Sequence, residues 1–222
     1  TGGIAVYLNV SSTDLEFSLE TSLLLSNYGS SNLNIFVSPV DIPAITDVDY
    51  DGDLDILTFS ILGGFIEYHR NLSIEQNGNC DSLIFNFEDA CWGDCYEGLN
   101  SYVLNCTNCQ CAPLTNQNFK QPHAGSTILA IDIDNDNDKD LILGDILYNN
   151  LNLLINGGNN QNALVTSVDS IFPKNYLSTS QVDLPMFPAA FYIDVNNDNI
   201  KDLVVSPNST TLSGTENKQS SW

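Results

Sequence analysis

The chain has 222 residues, 42% of them hydrophobic, and its 28 acidic against 6 basic side chains give a formal charge of −22. That is apolar material enough for one large or two small domains, while the charge argues against nucleic acid or an anionic membrane surface as partner, since both demand basic patches. No stretch approaches the roughly 20 apolar residues of a spanning helix, so no membrane insertion is expected and cations are the natural counterpart.

Taken in chain order, Gly2-Gly3-Ile4-Ala5-Val6-Tyr7 and Leu15-Glu16-Phe17 are the first β-prone runs. A third, at 42–45, leads into Asp47-Val48-Asp49-Tyr50-Asp51-Gly52-Asp53-Leu54-Asp55, and apolar residues follow to Phe59. Gly63-Gly64-Phe65-Ile66-Glu67-Tyr68 then resembles the opening run 61 residues later, and Leu83-Ile84-Phe85 resembles residues 15–17. All six cysteines, Cys80, Cys91, Cys95, Cys106, Cys109 and Cys111, come next within 32 residues. Strand-like runs at 128–131 and 141–143 flank a second acidic cluster, Asp132 to Asp140, and those at 191–193 and 203–205 flank a third, Asp194 to Asp202.

The three clusters share the pattern D-x-[DN]-x-D-x-x-x-D and hold 13 of the 28 acids. They start 85 and then 62 residues apart, which a period near 60 with one insertion of about 23 residues explains. Such periods mean blades or solenoid turns. Each unit offers about four short strands joined by Gly, Asn and Pro-rich turns without convincing helical periodicity, so the expected fold is all-β: β-propeller blades, each a four-stranded antiparallel meander. The expected division is a partial blade at 1–39, a blade at 40–122 carrying a Cys-rich insertion at about 80–122, a blade at 123–184 and a partial blade at 185–222. About three to four blades fall short of a closed ring, and the chain starts with Thr1 mid-blade and stops near a possible strand at Trp222. It reads as a piece of a longer polypeptide.

Like charges at alternate positions repel by about 1 kcal/mol per contact pair even in water. Alternating Asp and Asn on a tight loop instead bring hard oxygens round one point, as calcium requires. The expected ligands are the side chains of Asp47, Asp49, Asp51 and Asp55 with the carbonyl of Asp53; of Asp132, Asp134, Asp136 and Asp140 with the carbonyl of Asp138; and of Asp194, Asn196, Asp198 and Asp202 with the carbonyl of Ile200. Gly52, Asn137 and Asn199 fill the sixth position, where positive φ is tolerated. Three such ions would bring the charge to −16. An EF-hand fails because its twelfth position needs Glu, and here Thr58, Leu143 and Val205 stand there. Magnesium seldom uses all-protein cages, and three solvated acidic turns are the bland alternative.

An even cysteine count confined to one polar insertion reads as a disulfide framework in an oxidising compartment, with 15 connectivities open. The zinc alternative rests on Cys106-x-x-Cys109-x-Cys111 with Cys91 or Cys95. In a meander the acidic loops join the first two strands, so an insertion after a fourth strand projects from the opposite face, beside the Gly63-Gly64 turn. That face is the candidate contact surface, with a structural flap as the alternative.

Catalytic candidates are few. His69 falls in an expected strand, His123 in a loop, and no G-x-S-x-G, H-E-x-x-H or P-loop spacing occurs. Glu67 and Asp145 could form a carboxylate pair, though surface charge is the ordinary reading, and no enzyme activity is expected of the segment.

The D-x-D-x-D-G-x-x-D loop between strands resembles FG-GAP and VCBS repeats, the calcium-bound propeller blades also found in integrin α-subunits. More narrowly, Val40-Asp41-Ile42-Pro43-Ala44-Ile45, Gly63-Gly64-Phe65 through Asn71, Ala90-Cys91-Trp92-Gly93, His123-Ala124-Gly125-Ser126-Thr127 and Leu143-Gly144-Asp145 resemble VCBS-repeat proteins exported through the type IX secretion system of Bacteroidota. The resemblance implies an extracellular or cell-surface bacterial module acting in adhesion or in a larger homo- or hetero-oligomeric surface assembly, binding a protein or glycan through its loops. The alternative is an accessory, substrate-docking domain of an exported hydrolase.

Overall fold

A computed structural model describes residues 2–111, 125–176 and 179–208. Among the described residues, six runs of paired strands merge into five sheets. β1 (Val6–Asn9) and β2 (Phe17–Thr21) form a hairpin, as do β3 (Leu25–Asn27) and β4 (Asn32–Asn34). β5 (Ala44–Thr46), β6 (Asp55–Phe59), β7 (Ile66–Asn71) and β8 (Phe85–Asp89) run as an up-and-down meander. β9 (Cys95–Glu97) and β10 (Tyr102–Leu104) make a small hairpin. β11 (Ser126–Ile131), β12 (Asp140–Asp145), β13 (Leu151–Asn156) and β14 (Val165–Phe172) form a second meander, and β15 (Pro188–Ile193) pairs with β16 (Asp202–Pro207).

The three strand–loop–strand units expected at the acidic clusters are therefore β5–β6, β11–β12 and β15–β16. The four-stranded meander occurs in full at β11–β14. In the other sheet β3 pairs parallel to β8 and brings β4 with it, giving six strands in the order β4-β3-β8-β7-β6-β5. The described residues form no closed ring of sheets. Among the described residues, helix is confined to α1 (Ser73–Asn77) and single 3₁₀ turns at Trp92–Asp94 and Thr107–Cys109, and none of it is long and apolar enough to cross a membrane. His123 and Trp222 lie outside the described residues, as do 112–122 of the insertion.

The sheets stack face to face. Leu57, Phe59, Ile66 and Tyr68 of the first meander pack against Ile128, Ala130, Leu141 and Leu143 of the second, with Trp92 closing the layer. The opposite face of the second meander, through Ile142, Leu151 and Leu153, meets Ala190 and Val205 of β15–β16. Ile56 and Phe85 on the far face of the first meander meet Leu24, Ile35 and the partly buried Val6. Strands covered on both sides should read as continuous apolar runs. β6 and β12 are buried at every position, whereas β2 is exposed along most of its length. The leading strands also meet edge to edge: Ile42 donates to the Ser126 carbonyl at 3.2 Å and accepts from Ile128 at 2.9 Å.

Around the cysteines the structure departs from expectation. The fourth strand, β8, falls inside the range 80–122, so Cys80 precedes that strand and the other five cysteines follow it. Two disulfides form, Cys91–Cys109 and Cys106–Cys111, with Cα separations of 5.5 and 4.3 Å. Cys80 is exposed and unpaired, and Cys95 is a buried free thiol in the layer with Trp92. A framework using all six cysteines is thus corrected to four, because β8 separates Cys80 from the rest and the core holds Cys95. Burial first, then the charges of Glu97 and Asp94, push the Cys95 thiol up to about 12, which leaves it inert. The paired cysteines have no thiolates to offer zinc.

The β9–β10 hairpin lies beside the Gly63-Gly64 turn, as the meander geometry predicts: Glu97 donates its N–H to the Gly64 carbonyl at 2.7 Å. Gly64 has φ +82°, and a Cβ there would stand 2.3 Å from the Tyr96 ring. His69 is buried in β7, in an aromatic cluster with Phe87 and Tyr28, a structural placement.

Candidate functional site

The three acidic loops fold through one set of hydrogen bonds. In the first, Asp47 accepts from the N–H groups of Asp51 (3.1 Å) and Gly52 (3.2 Å), and Asp51 accepts from Asp53 (3.0 Å). In the second, Asp132 accepts from Asp136 (3.1 Å) and Asn137 (3.2 Å), and Asp136 accepts from Asp138 (3.1 Å). In the third, Asp194 accepts from Asp198 (3.2 Å) and Asn199 (2.8 Å), and Asp198 accepts from Ile200 (2.8 Å). The sixth position takes positive φ each time, at Gly52, Asn137 and Asn199. So does the fourth, at Tyr50, Asn135 and Asn197, a second left-handed residue that the residue types did not announce at Tyr50.

The last Asp of each loop opens the returning strand and anchors it. Asp55 Oδ2 accepts from Val48 (2.9 Å), Asp140 Oδ2 from Ile133 (2.9 Å) and Asp202 Oδ2 from Val195 (3.2 Å). The other oxygen reaches across to the end of the third strand: Asp55 Oδ1 accepts from Asn71 N–H and Asp140 Oδ1 from Asn156 N–H, both at 2.8 Å. Those asparagines recur because their side chains hold the next turn, Asn71 Oδ1 accepting from Ser73 and Ile84, and Asn156 Oδ1 from Gly158 and Leu164.

Oxygens converge most in the first two loops. Asp47, Asp49 and Asp55 bring carboxylate oxygens within 4.8 Å of one another, as do Asp132, Asp134 and Asp136. In the third loop Asn196 stands where the others have Asp, and its amide donates to Asp198 at 3.0 Å. Asp53 and Asp138, expected to coordinate through the main chain, also have buried side chains. Asp53 Oδ2 accepts from Ile74 N–H at the start of α1 (3.0 Å), while Asp53 Oδ1 and Asp138 Oδ1 are buried without a hydrogen-bond partner among the described residues. Ile200 at the same position is exposed. The converging carboxylates of the first two loops could hold a metal ion, and beside each group lies one buried oxygen for which the described residues supply no hydrogen-bond donor.

In the metal-free chain these acids strain against burial. Desolvation pushes Asp55 up to about 7, against the N–H bonds from Asn71 and Val48, and Asp138 also reaches about 7 through burial and the charges of Asp136 and Asp140. Asp49 and Asp140 are raised, again mainly by burial. Asp194 is the contrast: desolvation raises it, but the N–H bonds from Asn199, Asn197 and Asp198 together prevail and hold it below the ordinary value.

One residue that the spacing does not reveal is Arg70. Its Nη2 lies 2.6 Å from Asp49 and 3.5 Å from Asp51 and also pairs with Glu75, which itself forms a carboxylate group with Asp49 and Asp51. The signal available was its rarity, one of only 6 bases, next to the Asn that ends a third strand. Tyr50 and Lys139 join the first two loops: the Tyr50 hydroxyl lies 3.4 Å from both Asp132 Oδ2 and the Asp138 carbonyl, and Lys139 Nζ sits 3.8 Å above the Tyr50 ring.

At the opposite end of the sheets, the β9–β10 hairpin and the second meander enclose a cleft of about 580 Å³, lined by Asn100, Tyr102, Asp145, Tyr148, Asn150 and Asn152 among others. Tyr148 donates to the Leu99 carbonyl at 2.7 Å and so ties the hairpin to the meander. Glu97 is buried behind it, accepting from Tyr102 (3.1 Å) and Ser126 (2.8 Å). Asp145, at the end of β12, is in this wall and accepts from Leu147 N–H, whereas Glu67 lies in β7 beside His69, at 3.6 Å. No family model, curated protein or solved structure matches this chain.

Proposed function

We propose that the chain is a segment of a β-propeller of the FG-GAP/VCBS kind, exported to the cell surface or beyond, stiffened by calcium in its acidic loops and presenting the opposite face to a protein or glycan partner in adhesion or a surface assembly. The observation that carries this reading is the recurrence of one hydrogen-bonding frame in three loops, with carboxylates gathered in two of them and a buried, unpartnered oxygen in each of those two. In this reading Asp47, Asp49, Asp51 and Asp55, with their counterparts in the other loops, hold the ions, and the ions neutralise loops that could otherwise relieve repulsion only by opening. Two disulfides support an oxidising compartment. There calcium is abundant enough for sites of roughly 0.1 to 1 mM affinity.

Thermal melts test it. Calcium at a hundredfold excess over its dissociation constant should add about 2.7 kcal/mol per filled site, and coincident melts with and without chelator would sink the reading. The cleft is the proposed contact surface because its side chains, amides and phenols with one carboxylate, can both donate and accept hydrogen bonds. Binding to immobilised glycans or cells should weaken in the double variant Asn150→Ala/Asn152→Ala. Asp145 in the same wall keeps the hydrolase-docking reading open to test: turnover of a polysaccharide, lost in Asp145→Asn, would favour it.

A further inference from the structure

The fourth position of each acidic loop takes a left-handed backbone, with φ +65° at Tyr50, +64° at Asn135 and +62° at Asn197. Asparagine tolerates that region, whereas a bulky side chain there is an outlier. A residue held against its preference by surroundings that over-determine it points to function. Tyr50 is held in this way, and what holds it belongs to the neighbouring loop.

The Tyr50 hydroxyl lies 3.4 Å from both Asp132 Oδ2 and the Asp138 carbonyl, and Lys139 Nζ sits 3.8 Å from the centre of its ring. Asp132 and the Asp138 carbonyl are both expected ligands of the second loop's ion. Asp132 also accepts from the N–H groups of Asp136 and Asn137. Among the described residues the phenol is therefore the one hydrogen-bond donor that reaches it from outside its own loop. One residue before Tyr50, the Asp49 carbonyl accepts from the Asn160 amide at 2.8 Å, so the second meander grips the backbone here as well as the side chain. Asn135, at the same position one loop on, is exposed, and among the described residues its side chain makes no hydrogen bond.

We propose that Tyr50 couples the first two acidic loops as metal sites: held in place by a filled first loop, its phenol orients Asp132 and the Asp138 carbonyl for the second. The inference rests on the calcium reading above and adds a positioning residue that is not itself a ligand. Tyr50 stands between Asp49 and Asp51, whose coordination would fix the backbone on both sides of it. With the first loop empty, those two carboxylates repel, the loop relaxes, and Tyr50 leaves a conformation it disfavours, withdrawing the phenol from Asp132. Groups that orient metal ligands in this way typically account for about ten- to a hundredfold in affinity. The second loop is built to respond, because the Asp138 side chain is 2% exposed, stands among the charges of Asp136, Asp140 and Asp134, and has an Oδ1 without a donor among the described residues. A filled first loop also carries less negative charge to draw an ion to the second, which works the other way. That effect is long-ranged and screened by salt, whereas the contact through Tyr50 is not. Coupling between sites is reciprocal, so a filled second loop favours the first by the same factor. The third loop, which Asn135 does not reach, stands outside the pair.

Calcium titrations of the stripped 222-residue chain test it, followed by the backbone amide NMR signals of Gly52 and Asn137, which report the first and second loops separately. Salt of about 0.5 M confines the charge effect to a few ångströms. Asp49→Asn/Asp51→Asn empties the first loop yet keeps the side-chain oxygens that accept from Asp51 and Asp53 N–H. The second loop's affinity should then fall about tenfold. Tyr50→Phe, which keeps the ring under Lys139, should give the same fall alone, and the triple variant should be no weaker than either. In the reciprocal arm, Asp134→Asn/Asp136→Asn should weaken the first loop about tenfold in the parent chain but not in the Tyr50→Phe background. Asn135→Ala should change no affinity. Losses that multiply in the triple variant, or a Tyr50→Phe chain that binds as the parent does, overturn the coupling and leave the calcium reading standing. A parent chain whose Gly52 and Asn137 signals do not respond to calcium overturns both.

Discussion

Asp55 is fully buried at the start of β6 and, without a metal, its carboxyl titrates at about 7 because burial outweighs the two N–H bonds it accepts. The unfolded chain has it at the ordinary value of 3.8. Between those values the folded chain holds the extra proton, so stability is greatest below the lower value and is lost as pH rises through the upper one. Asp138 acts in the same direction. Metal-stripped protein should therefore melt at progressively lower temperature as the pH rises from about 4 to about 7. Calcium, which holds these carboxylates ionised, should flatten or reverse that slope. Melting curves on stripped and calcium-loaded protein across this range measure both. Arg70 is the complementary case, a built-in cation partly neutralising Asp49, Asp51 and Glu75. It is about a third exposed, so its pairs contribute no more than about 1 kcal/mol each. Arg70→Met should lower the melting point of stripped protein yet raise the first loop's calcium affinity several-fold, since the ion no longer competes with a guanidinium. A chelator-competition titration separates the two effects.

At the scale of elements, the tightest constraint is where the β9–β10 hairpin lies on the Gly63-Gly64 turn. Gly64 has positive φ and no room for a Cβ, with the Tyr96 ring and the Glu97 carbonyl at 2.3 and 2.9 Å. Gly64→Ala should cost about 1 to 3 kcal/mol as overpacking, read as a shifted denaturant midpoint, and should displace the hairpin that forms one wall of the cleft. The same scale shows what the sequence could and could not reveal. The acidic loops and flanking strands were legible because ligand spacing and strand alternation are local: Asp47 to Asp55 announces its turn, and the apolar residues after it announce β6. The projection of the cysteine hairpin followed from strand counting alone. β3 and β4 were not legible, since three-residue strands such as Leu25–Asn27 carry no alternation, and β3 is held by a parallel pairing to β8 some 60 residues away. Disulfide partners were hidden for the same reason: which thiols meet depends on β8 passing between Cys80 and Cys91. Arg70 is a third instance, its role arising only when β7 brings it over the loop.

Across the whole molecule, the first two acidic loops sit where neighbouring sheets touch, so an ion held in either of them would act on two sheets. Tyr50 reaches from the first loop to the second, and Asn160, in the turn between β13 and β14, donates its amide to the Asp49 carbonyl at 2.8 Å. Filling either of these loops should then stiffen the packing around Trp92 as well as the loop itself. The third loop stands apart on three counts: Asn196 replaces a carboxylate, among the described residues Asp202 has no counterpart of the N–H that Asn71 and Asn156 supply, and its residues are more exposed. A loop with fewer charges and less rigid support binds calcium more weakly. Calorimetric titration of stripped protein should accordingly show two ions taken up first and a third at higher concentration, with Asn196→Asp drawing the third toward the others. Three equal sites would mean that the frame of backbone hydrogen bonds, common to all three loops, sets affinity more than the carboxylate count does. No heat above dilution would remove the ion from the account altogether.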